Sequence, residues 1–444
     1  MNRTTKAWLI PLTLLLLTGA AGLALSQTNP SAVGGAVVGA DVAWMLTATA
    51  LVLLMTPGLS FFYGGMVQRK NLVSTMLQSF IAMGVVSVVW VVAGFSLSFG
   101  ESIGGVVGNP LSYFMFDGVG ASTHPDLSPT IPLALFAMFQ LKFAIITPAL
   151  ITGGFAERVR FSAYVLFLVL FSVFIYAPLA HATWHPDGLL RQWGVLDFAG
   201  GTVVHMSAGF AALAGAIVLG RRRIHRESRT HTPTNIPYVL LGAGMLWFGW
   251  FGFNCGSALS ASPTAVLAFV NTNTASAAAM LAWVFFDSIN GRKISALGAC
   301  CGTVVGLVAI TPAAGYVTVG QSIVIGIAAG LICNIATRWR MKTKLDDTLD
   351  VFACHGVGGV VGMVATGLFA DKVGLIYGDP TVFLHHLVAI VVVGVLAFGG
   401  SMLLYKVTDK LIPLRVKESD EDLGLDLTQH KERADDSGGL RQAA

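Results

Sequence analysis

The sequence predicts an all-α polytopic membrane protein, and three observations carry that prediction. Of 444 residues, 55% are hydrophobic and only 11% charged, far from the balance of an ordinary soluble domain. Apolar stretches of roughly 20 residues, the length that crosses a bilayer, recur eleven times. Basic residues gather in every second loop between them. The formal net charge of +4 is too small, and its basic residues too dispersed, to argue for a nucleic-acid partner.

The first element is a candidate secretory signal over residues 1–26. Arg3 and Lys6 precede an apolar run that ends in small residues around Ala24 and Ser26, the layout of a cleaved leader. The mature chain then starts near Gln27, with its N-terminus outside. The membrane domain covers residues 27–413. Its expected spans lie near 42–66, 73–98, 130–155, 161–181, 198–220, 236–257, 263–286, 294–312, 318–337, 350–370 and 382–408. Many of the 51 glycines fall in these spans, as small residues do where membrane helices pack closely.

The loops test the count. Those after odd-numbered spans carry fifteen basic residues, among them Arg69, Lys70, Arg158, Arg160, five arginines between 221 and 229, and Arg338 to Lys344. Those after even-numbered spans carry Arg191 and Lys372. The positive-inside rule then puts the odd-side loops and the C-terminus in the cytoplasm. A charged tail, residues 414–444, follows the last span. All five cysteines fall inside spans at spacings that match no disulfide or zinc framework.

Two histidines interrupt this apolar pattern in related settings. "DFAGGTVVH" leads from Asp197 to His205, and "DVFACHGVGG" carries Asp350 and His355. If residues of about 41–220 and 236–372 form inverted five-span repeats, such helices meet near the midplane. Helical rise puts His205 about 12 Å and His355 about 7 Å from their aspartates. Ionisable groups are rare at that depth and usually mark a pathway. Both aspartates read as caps for free helix N–H groups, and Asp197 can also add a field that favours a cation.

"FYGG" at 62–65, "AERVRFSA" at 156–163, "LDFAGGTVVH" at 196–205, "WFGFNCGSA" at 250–258, "FVNT" at 269–272 and "DVFACHG" at 350–356 together resemble the Amt/Rh ammonium transporter family, and its bacterial Amt branch in particular. The resemblance runs from about Asp41 to His430. It implies eleven spans in an inverted five-plus-five repeat with one helix added. It also implies a homotrimer with one pore per subunit, a cytoplasmic PII-type signalling partner, and residence in the cell's inner membrane. No cofactor and no catalytic role are implied.

Carried over by motif, His205 and His355 are the twin histidines of a hydrophobic pore. Trp184, Phe143 and Ser257 match an outer site for ammonium or methylammonium, with the Ala199 carbonyl as a further acceptor. Phe143 and Phe253 match the stacked rings that close the pore below it. The chemistry agrees, because aromatic faces attract a small cation and a serine oxygen accepts an N–H bond. An ion cannot enter a dry tube without losing its hydration, whereas ammonia can. The expected route is therefore capture of ammonium, loss of its proton, and passage of ammonia.

A sensor is a second class, although no output domain is fused to the short tail. A metalloenzyme using His205, His355 and Cys354 is a third, but it lacks the usual carboxylate or closely spaced histidines. Two departures from the family stand out. Lys142 sits in mid-span beside Phe143, where its stem is expected to snorkel or its amine to pair. "HKERA" at 430–434 replaces the usual His-Gly-Glu ending.

Overall fold

The computed structural model describes residues 8–24, 33–229 and 231–434. A helix spans Leu9–Ala24, while the expected cleavage site beside Ser26 lies outside the described residues. Ten later helices are long and apolar enough to cross a membrane. In chain order these are α1 (Gly39–Met66), α2 (Arg69–Phe99), α3 (Leu133–Gly154), α4 (Phe161–Gln192), α5 (Gly201–Leu219), α6 (Ile236–Gly256), α7 (Pro263–Ile289), α9 (Val319–Met341), α10 (Phe352–Phe369) and α11 (Thr381–Leu411). The expected eighth span is a shorter apolar helix, α8 (Ala296–Ile310). Its 15 residues reach about 22 Å at 1.5 Å per residue, less than a full hydrocarbon core.

Packing sorts these helices into inner and outer sets. The apolar window of α3 is 89% buried, that of α11 only 33%. A helix apolar on every face is buried against other helices, so α3 lies inside and α11 presents a broad face outward. α1 packs along α6, α7 against α8 and α9, and α5 against α11. At the α1–α6 crossing, a Cβ on Gly242 would lie 2.3 Å from the Phe62 nitrogen and 2.6 Å from the Gly58 carbonyl oxygen. Glycine there lets the two backbones touch.

The closest approach joins α5 to α10. A Cβ on Gly209 would lie 2.1 Å from the Gly356 nitrogen, so nothing larger than hydrogen fits. Each histidine sits beside this contact on a π-helical turn, Gly201–Met206 for His205 and Phe352–Gly356 for His355. The His205 N–H reaches back five residues to the Gly200 carbonyl at 3.1 Å. Such turns are uncommon and gather at functional sites. No spacing rule in the sequence announced them.

The α10 opening corrects the expectation for Asp350. Its carboxylate pairs with Arg340 Nε at 2.7 Å, and its backbone is left-handed at φ +58°. The cap comes from Asp347, whose two oxygens accept the Val351 and Phe352 N–H groups at 3.1 and 2.8 Å. Asp347 precedes His355 by eight residues, as Asp197 precedes His205. The sequence pairing of Asp350 with Asp197 was therefore shifted by one helical turn.

On the same side of the molecule, Arg222 is buried between two carboxylates. Its guanidinium meets Glu157 at 2.6 Å and Asp346 at 2.8 Å. Burial by itself raises both carboxyls, yet the Arg222 pairing outweighs it and holds them below their usual range. Breaking such a pair strands a buried charge and costs about 3–5 kcal/mol. Short antiparallel strand pairs, Ser102–Ile103 with Val107–Gly108 and Thr123–His124 with Ser128–Pro132, fold the long loop on the opposite side and qualify the all-α expectation.

The tail straps the Arg222 side. Leu414 and Leu425 are buried. The Asp426 carboxylate accepts the Val73 and Ser74 N–H groups at the start of α2. Arg415 donates to the Leu219 carbonyl at the end of α5, and the His430 ring meets Phe161 edge-on at 4.8 Å. Lys431, in the "HKERA" segment, adopts a left-handed φ of +58°.

Four outcomes test this architecture. Gly209→Ala forces α5 and α10 apart and costs about 1–3 kcal/mol. Gly244→Ala, with nothing within 4 Å, leaves the melting temperature unchanged or higher. Lys431→Gly relieves about 1 kcal/mol of backbone strain and slows proteolysis of the tail. Burial and the neighbouring Asp350 push the Asp347 carboxyl up to about 7, against an unfolded value of about 3.9. The folded state therefore binds the proton more tightly. Stability from this group is full below about pH 4 and is lost as pH rises toward 7. In melting curves, Asp347→Asn gains stability relative to the parent as pH increases through that window. A constant difference between the two proteins contradicts the assignment.

Candidate functional site

The site begins at the opening of α5. Asp197 Oδ1 accepts the Gly200 and Gly201 N–H groups at 2.8 and 2.6 Å, and Oδ2 accepts the Thr202 N–H and hydroxyl at 2.7 and 2.5 Å. Gly200, at φ +116°, permits the turn that wraps the backbone around this carboxylate. The charge is thus spent on helix N–H groups rather than left free. The Asp197 carbonyl accepts the Trp184 indole N–H at 3.1 Å. Among the described residues, none donates a hydrogen bond to the Ala199 carbonyl.

Trp184, Phe143, Ser257 and Asp197 line a vestibule of about 650 Å³. Phe143 meets the indole edge-on at 5.8 Å and overlies Phe253 at 4.2 Å with 31° between the planes. Ser257 donates its hydroxyl proton to the Phe253 carbonyl at 2.8 Å, which leaves its oxygen lone pairs as acceptors. The residues expected to form an outer site and a ring pair are therefore together, with Phe143 common to both. An aromatic wall and oxygen acceptors suit a small cation with N–H groups.

A separate void of about 10 Å³ is lined by His205, His355, Trp250, Phe253 and aliphatic side chains such as Leu246. That is room on the order of one water molecule. The two imidazoles face each other, Nδ1 to Nδ1, at 3.3 Å. Thr311 fixes the tautomers. Its hydroxyl proton goes to the Leu307 carbonyl at 2.7 Å, so its oxygen accepts from Trp250 Nε1 at 2.9 Å and from His205 Nε2 at 3.3 Å. His205 then carries its proton on Nε2, and His355 must donate from Nδ1. The pair is satisfied with both rings neutral.

Thr311 and Trp250 escaped the sequence reading. Trp250 sits in one of the matched motifs and stacks on His205 at 5.4 Å. Thr311 follows the last turn of α8 and carries no periodic signal. Lys142 is buried, yet among the described residues it makes no hydrogen bond or ion pair, so the expected pairing is not formed. Its position is otherwise unexplained by the structure. Among the described residues, no group of three His, Cys, Asp or Glu side chains is placed to hold a metal ion.

Residues 43–435 match the model of the Ammonium Transporter Family. The chain is 46% identical over 403 residues to an ammonium transporter of Bacillus subtilis, covering 89% of this chain and 98% of that one. It is 45% identical over 399 residues to ammonium transporter Amt1 of Archaeoglobus fulgidus, with the same coverage. The crystal structure of Saccharomyces cerevisiae Mep2 superposes with a TM-score of 0.83 at 33% identity, covering 90% of this chain and 93% of that one. A solved protein titled Sensor Amt Protein superposes with a TM-score of 0.82 at 32% identity, covering 88% and 98%. With a family model spanning most of its length and relatives this similar, the chain belongs to the ammonium transporter family.

Proposed function

We propose that this ammonium transporter captures ammonium in the vestibule, releases its proton there, and conducts ammonia past His205 and His355. The observation that carries the reading is the neutral, hydrogen-bonded imidazole pair beside a void with room for about one small molecule. An ammonium ion entering it would trade its hydration shell for aliphatic walls, at a cost of several kcal/mol or more. Ammonia loses far less and regains hydrogen bonds along the imidazole edges. Trp184, Phe143, Ser257 and the Ala199 carbonyl hold the ion, the Phe143–Phe253 pair gates the entry, and Asp197 fixes the acceptors around them.

The same reading assigns α8 as an eleventh crossing, one that ends at the Thr311 contact. It places the vestibule outside and the tail in the cytoplasm of an inner-membrane protein, as the loop charges require. The like openings of α5 and α10 support an inverted repeat. A homotrimer with one pore per subunit, and a PII-type partner on the cytoplasmic face, complete the proposal.

Uptake of labelled methylammonium by cells lacking their own ammonium carriers tests it. The parent chain restores uptake. The His205→Leu, His355→Leu double variant keeps the tube dry but removes its hydrogen-bond partners, and uptake falls at least about tenfold, the effect of about 1.4 kcal/mol. Normal uptake by correctly inserted double variant overturns the route through the histidines.

A further inference from the structure

We infer that Arg191 is a rim charge that sets how strongly the vestibule holds a cation, an inference that rests on the ammonium reading above. Arg191 is one of two basic residues in the loops after even-numbered spans, and it lines the same vestibule as Trp184 and Ser257. Its Nη1 donates to the Trp184 carbonyl at 3.0 Å. The guanidinium is therefore tethered to the residue whose indole forms the cation-binding wall.

The surrounding carboxylates do not pair with it. Asp197 lies in the vestibule wall, but its carboxylate is enclosed by four donors from Gly200 to Thr202. Asp126 also lines the vestibule, while Asp187 is turned toward His185 at 4.0 Å. Among the described residues, no carboxylate forms an ion pair with Arg191. An arginine is always protonated, so its field acts on any cation in the site at every working pH.

That field weakens capture of every cation, and it weakens capture of a divalent ion more than that of a monovalent one. For a cation held on the order of 10 Å from the guanidinium across water, the repulsion amounts to about a twofold change in affinity. The role is electrostatic positioning at the mouth, not contact with the conducted molecule. It also differs from a purely structural tether, because salt screens it. The Debye length is about 30 Å at 0.01 M and about 3 Å at 1 M.

Purified protein in vesicles, assayed for labelled methylammonium uptake at about 0.01 M and about 1 M salt, separates these roles. Arg191→Gln keeps a donor for the Trp184 carbonyl and loses the charge, while Arg191→Lys keeps the charge. At low salt, Arg191→Gln lowers KM about twofold without raising the maximal rate, Arg191→Lys matches the parent, and the difference vanishes at high salt. An unchanged KM at low salt, or a lowered KM that persists at high salt, overturns the inference. Absence of uptake by the parent overturns the transport reading itself.

Discussion

The contact on which the rest of the structure depends is the backbone approach of Gly209 to Gly356. Two helices that arrive from different halves of the chain touch there with no side chain between them. Their π-helical turns then bring one imidazole from each to the same 3.3 Å contact. A methyl group at Gly209 would separate the rings and open a gap that nearby aliphatic residues could not fill without strain. The neutral pair, the small void and the stacking on Trp250 all presuppose that distance.

Charge is distributed accordingly. Carboxylates stand at both helix openings, Asp197 at one and Asp347 at the other, and each is consumed by backbone N–H groups. The dense ion pairs of Arg222 lie beyond the α10 opening, away from the imidazoles. Between these ends a small void is lined by rings, aliphatic side chains and two histidines that satisfy each other. The middle is polar without being charged, which is the condition under which a small neutral base is favoured over its conjugate acid.

Much of this was legible in the sequence because the bilayer imposes long apolar runs and loop charges alternate. The residues of the vestibule and the twin histidines were found through motif resemblance, since no periodicity distinguishes Trp184 or Phe143 from packing residues. The capping aspartate of α10 was misplaced because two acidic positions, Asp347 and Asp350, stand one helical turn apart. Only the three-dimensional count of N–H groups separates a cap from an ion-pair partner. The π-helical turns left no trace, for a helix one residue wider per turn uses the same apolar alphabet. Thr311 was invisible because its role comes from a proton given to its own helix and accepted from two others.

Asp426 ties a part of the chain with no spanning role to the first turn of α2. The α-helical part of that element begins at Leu72, so the carboxylate from the far end of the sequence caps its first turn, work that a local residue usually does. Arg415 grips the last turn of α5 in the same way. The tail is therefore a mechanical tie-bar rather than an appendage. A displacement of α5, the helix that bears one of the paired rings, is transmitted through some ten residues of tail to α2, and a pull on the tail travels back along the same line.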